Sequence, residues 1–107
     1  MRKWMSAKIK WIPENNGGRM TYVPIVSDER ADNRYCPIIV FPNSIRVGES
    51  WSAIIYVKLY VDKNESIVKM SYLSENAPFE LFQIGCVFEL YEGCRLVATG
   101  IILEEIK

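Results

Sequence analysis

The 107-residue sequence contains no histidine, and so lacks the residue that most often serves as general base near neutral pH and as zinc ligand. Ser-His and Cys-His nucleophilic pairs, and most zinc hydrolases, are therefore excluded. The three cysteines, Cys36, Cys86 and Cys94, are odd in number and none stands in a C-x-x-C spacing, so free thiols are expected. Carboxylates remain, chiefly Glu75 and the pair Glu104-Glu105. Neighbouring residues of a strand point to opposite sides, so Glu104 and Glu105 cannot converge on one substrate. No P-loop pattern is present to hold a nucleotide. The expectation is a protein that is not an enzyme and uses no metal or cofactor.

Recognition is the other chemistry that side chains can do. Gly17-Gly18-Arg19 could cradle an anion, because successive glycine N–H groups form a concave nest, here with a guanidinium beside it. A hairpin or loop turn is the preferred reading of the same residues, since no helix follows to add its dipole. Glu92 and Arg95 could be a polar contact pair on an exposed turn, or Glu92-Gly93 could supply turn geometry while Arg95 caps a rim. Arg30, Arg34 and Arg46, with Tyr22 and Tyr35, have the types of a single-stranded RNA surface. Asp28, Glu29 and Asp32 interleave with them and cancel the field, which reads as a solvated loop. Across the chain, 13 basic and 13 acidic residues balance, leaving no global attraction for nucleic acid or an anionic membrane.

The elements that must carry these residues are strands. From Trp51 to Asp62, Trp51, Ala53, Ile55, Val57, Leu59 and Val61 alternate with Ser52, Ile54, Tyr56, Lys58, Tyr60 and Asp62, a period of two. Asp62 to Glu65 is a polar turn into a returning strand through Val68, Met70 and Tyr72. A second hairpin runs from Cys86 to Tyr91, turns at Glu92-Gly93, and returns from Cys94 to about Glu104. Two more strands fit Ala7 to Ile12, and Tyr35 to Phe41, whose apolar run from Ile38 is bracketed by Pro37 and Pro42. Pro13 to Arg34 is one long loop with a short strand around Met20 to Val23. Six strands without a helical period predict an all-β, antiparallel barrel or sandwich, of which the barrel is preferred. Length and ordinary composition predict one domain over 1–107, able to hide roughly two-thirds of its unfolded surface. Arg2 and Lys3 precede Trp4 and Met5, but Lys8 and Lys10 interrupt before an apolar run develops, so no export signal is expected. No stretch approaches the roughly 20 apolar residues of a membrane helix. A cytoplasmic protein without a membrane partner is expected.

Three segments resemble one family. AKIKWIPENNGGRMTYVP (7–24), YCPIIVF (35–41) and VKMSYLSENAPFELFQIGCVFELYEGCRLVATGIILEEI (68–106) are similar, in the same order, to the C-terminal (third) domain of elongation factor Tu. The resemblance covers nearly the whole chain. It implies a six-stranded Greek-key barrel of the translation-protein type, with Gly85 and Gly100 at strand bends. It does not imply nucleotide hydrolysis, which belongs to a separate domain of that family. In the family this barrel helps hold the T-stem of aminoacyl-tRNA. Glu92 and Arg95 match its Glu-Gly-x-Arg turn, whereas Ile38 stands where a glutamine would be and Tyr91 where a basic residue would be. An RNA- or tRNA-binding role through Gly18, Arg19, Glu92 and Arg95 is therefore the second reading.

The first reading comes from the last strand. Val97, Ile101 and Leu103 alternate with Leu96, Ala98 and Ile102, so both faces are apolar although a small barrel fills only its interior. Ile54, Tyr56 and Tyr60, opposite the regular core set of the long strand, add to the outer apolar surface. A stand-alone, non-catalytic binding module is expected, docking a protein partner or a second copy through Ile54, Tyr56 and Val97. Loops of the same chain folding back over these residues are the alternative.

Overall fold

Period-two segments can satisfy their backbone groups only by pairing, and here all six pair with one another. The computed structural model describes residues 2–13, 16–17, 23–26, 34–42 and 50–106. The strands are β1 (Trp4–Trp11), β2 (Ile38–Val40), β3 (Trp51–Tyr60), β4 (Glu65–Tyr72), β5 (Val87–Glu92) and β6 (Arg95–Ile106). They close a barrel in the order β1-β4-β3-β2-β5-β6, every ladder antiparallel. The run β2, β3, β4 with β1 returned beside β4 is a Greek key. The expected six-stranded barrel is thus observed. Among the described residues no helix is long and apolar enough to cross a membrane.

The interior is filled by one face of each strand, including Ala7 and Ile9, Ile39, Ile55 and Val57, Val68 and Met70, Phe88 and Leu90, and Ile102, all almost fully buried. One end is plugged by aromatic rings. Tyr72 stacks on Phe82 at 4.3 Å, Phe79 meets Tyr72 edge-on at 5.1 Å, and Phe41 lies 6.0 Å from both Phe82 and Phe88. The β4–β5 connection supplies two of these rings from a single 3-10 turn, Phe79–Leu81, and the residue after it. At the other end Trp11 Nε1 donates to the buried Ser66 hydroxyl at 2.9 Å, and the Tyr60 hydroxyl donates to the Val23 carbonyl at 2.6 Å.

Three register shifts, each an extra residue, change which side chains point inward. In β3 the shift lies between Val57 and Leu59, opposite Val68 and Ile67. Beyond it the parity reverses: Tyr60 packs against the core, while Leu59 and Val61 are each 55% exposed. That corrects the sequence expectation, which put Leu59 and Val61 inside and Tyr60 outside. In β6, Leu90 faces Ala98 but Tyr91 faces Leu96, so Val97 is the extra residue and both Val97 and Ala98 are buried. A second shift makes Leu103 the extra residue, between Ile102 opposite Ala7 and Glu104 opposite Ser6.

Smaller differences concern ends. β2 keeps only Ile38–Val40 of the expected Tyr35 to Phe41, but Tyr35 bridges Ile55 in the same register as Ile38 to Ser52. The last hairpin turns one residue later than expected: Glu92 and Arg95 are its closing pair, with Gly93 at φ +63° in the turn. Gly85 also has positive φ, +87°. Gly100 is required for space instead: a Cβ there would sit 2.4 Å from the Phe88 ring.

Candidate binding surface

Ile54 and Tyr56 do point outward from β3, between Ala53, Ile55 and Val57. They are nonetheless 2% and 9% exposed, because Val26 and Trp4 cover them in a small second core. The cover is part of the loop after β1. Ile25 bridges Val57, Val26 N–H donates to the Val57 carbonyl at 2.8 Å, and Lys58 Nζ donates to the Val26 carbonyl at 3.4 Å. The Trp4 and Tyr56 rings lie 5.9 Å apart, with Lys69 Nζ 4.7 Å from the Trp4 centroid and Lys58 Nζ 5.7 Å from that of Tyr56. Cation–π contacts of this kind hold a rim over a small apolar cluster. This wall is closed by the chain itself, so Ile54 and Tyr56 are not offered to a partner. Val97 is not offered either: it is fully buried in the main core, through the bulge in β6.

The turn residues have separate surroundings. Glu92 is half-buried and its carboxylate accepts a hydrogen bond from the Tyr35 hydroxyl, tying the β5–β6 hairpin to the segment before β2. Arg95 is exposed. Tyr35 packs on Trp11 with ring centroids 5.8 Å apart, so its ring belongs to the core end rather than to an open stacking surface. Tyr91, the residue before Glu92, donates its hydroxyl to Glu89 Oε1 at 3.0 Å, and this bond to a carboxylate pushes the phenol above its ordinary pKa of 10.0. Gly18 and Arg19 lie outside the described residues, as do Tyr22, Arg30 and Arg46. Arg34 is exposed.

Cys36 and Cys94 are exposed free thiols and Cys86 is a half-buried one. Among the described residues no three His, Cys, Asp or Glu side chains are grouped to hold a metal ion. Glu104 and Glu105 sit opposite Ser6 and Met5 respectively, on alternate sides of the ladder, and both are exposed.

Among the described residues, what remains open is the wall on the far side of β6. Val87 lies opposite Ile101, Ile101 opposite Lys8, Lys8 opposite Ile67, and Ile67 opposite Leu59. One row of outward residues thus crosses five strands, apolar except for Lys8. Val87, Ile101 and Leu59 are 43%, 38% and 55% exposed. Ile84 and Leu103 extend the row at its β5–β6 end, at 73% and 41%. Ile84 is brought there because the chain after it runs beside β6, with Gly85 N–H bonded to the Ile102 carbonyl and Ile102 N–H to that of Cys86. Lys8 Nζ pairs with Glu65 at 3.4 Å and keeps nearly half of its side chain exposed. The sequence pointed to Ile101 and Leu103 but missed Leu59, Ile67, Ile84 and Val87. Leu59 faces out only because of a bulge with no local mark, while the alternation of Val87 with Phe88 was a usable signal.

No known protein-family model matches this sequence, and no curated protein matches it either.

Proposed function

We propose that the chain is a non-catalytic binding module, a barrel of the elongation-factor type, which docks a protein on the outer wall of β5, β6 and β1. One observation carries the reading: the contiguous exposed apolar row Ile84, Val87, Ile101 and Leu103. Folded proteins seldom leave such a row in water unless a partner covers it. The histidine-free sequence supports the non-catalytic half of the reading. The six-stranded Greek-key closure supports kinship with the third domain of elongation factor Tu. Free thiols at all three cysteines fit a reducing compartment such as the cytoplasm.

Incorporation of a photo-crosslinking residue at Ile101, in cells, tests the reading against the same substitution at Lys63 in the β3–β4 turn. A discrete protein adduct at 101 and none at 63 is expected. Adducts at neither position, or equally at both, would overturn it.

A further inference from the structure

Taking the docking wall as given, we propose that its occupant is a second copy of this chain, apposed across β6 by a two-fold axis. Every strand of the barrel is hydrogen-bonded on both sides, so two copies cannot associate by adding strand to strand. Association has to use side chains of the outer wall, and the wall is arranged to complement itself. Its centre is apolar, at Val87, Ile101 and Leu103. Toward one end of the β1–β6 ladder stand Lys8, opposite Ile101, and Lys10, opposite Thr99, both exposed. Toward the other end, past Leu103, stands the exposed Glu104, opposite Ser6 and on the same outer side; Glu105, opposite the core residue Met5, is on the other side of the ladder.

A two-fold axis lying in the contact plane at right angles to β6, near Leu103, exchanges the two ends. The lysine end of each copy then faces Glu104 of the other, and the apolar centres meet. An axis along β6 would instead set lysine against lysine and glutamate against glutamate. The balanced charge of the chain, 13 basic against 13 acidic residues, leaves no long-range repulsion to oppose the pairing. The Lys8 pair with Glu65 is within one copy and exposed, so it screens the lysine only partly.

Solution mass by sedimentation or light scattering, from low micromolar to near-millimolar concentration, tests this. A monomer–dimer equilibrium is expected, and Ile101→Glu or, independently, Val87→Lys should leave only monomer with an unchanged circular dichroism melt, because both side chains are exposed. Glu104→Lys should weaken the dimer roughly tenfold, its effect counted twice by symmetry, and Lys8→Glu combined with Glu104→Lys should recover most of the loss. A monomer at every concentration would overturn the inference, as would a dimer indifferent to both wall substitutions. A monomer that still gives an adduct with a different protein at position 101 would remove self-association and leave the docking reading standing. A monomer with no adduct would remove both.

Discussion

Ser66 is the clearest case of one side chain depending on another. It is fully buried, and its hydroxyl is satisfied by Trp11 Nε1 from β1. Trp11→Phe keeps an aromatic ring and removes the donor, so the buried hydroxyl is left without its indole. The expected loss of unfolding free energy is about 1–3 kcal/mol from the stranded group, with a smaller further cost from lost volume. Chemical denaturation of Trp11→Phe, Ser66→Ala and the double variant checks it: the double should cost clearly less than the sum. At this scale the sequence was only partly legible. Composition correctly gave free thiols, and alternation correctly gave Ile54 and Tyr56 as outward residues. Nothing local told that Val26, some thirty residues away, would lie over them, because that contact is made by a loop without periodicity.

For whole strands, alternation and turn signals paired the two hairpins and placed β1, since a period of two is a direct consequence of strand geometry, while β2 was marked by a short apolar run between prolines. Alternation failed where the geometry itself is interrupted. The bulge after Val57 reverses the parity of Leu59, Tyr60 and Val61, and the one in β6 turns Val97 inward beside Ala98. A bulge is fixed by the closure of the barrel, through strand tilt and corner bending, rather than by the residues it contains. The same closure explains Gly100, which lies under the Phe88 ring with the Lys8 carbonyl 3.0 Å from where a Cβ would be. Gly100→Ala should therefore wedge β6 away from β5 and cost about 1–3 kcal/mol. The urea midpoint measures it, and Phe88→Leu in the same chain should return part of the loss by clearing the wedge.

For the molecule as a whole, turn signals and strand count gave an antiparallel barrel or sandwich, while the Greek-key order was an expectation of the family resemblance alone. The open wall was legible only in outline. Doubly apolar β6 was readable, but its continuation through Val87, Ile67 and Leu59 exists only once the registers bring those residues into one row. Closure has a consequence for the proposed docking: the six described strands have no free edge to extend, so a partner would have to be met by side chains on the outside.

The pairing of β1 with β6 has one more consequence. Trp4 lies directly opposite Ile106, so the first and last strands finish side by side at the same end of the barrel. Residues paired across an antiparallel ladder are about 5 Å apart. A short glycine-rich tether could therefore join the two ends, and the chain could be reopened elsewhere without unpairing any strand. The β3–β4 turn is the place for the cut: Asp62 and Lys63 are exposed there, and the turn's own bonds include those that the Asn64 and Glu65 N–H groups donate to Asp62 Oδ1. Such a circular permutant, beginning at Asn64 and ending at Lys63, should give the far-ultraviolet circular dichroism of the parent and a cooperative melt at modestly lower temperature. The barrel is in this sense a ring of strands whose starting point along the chain is arbitrary.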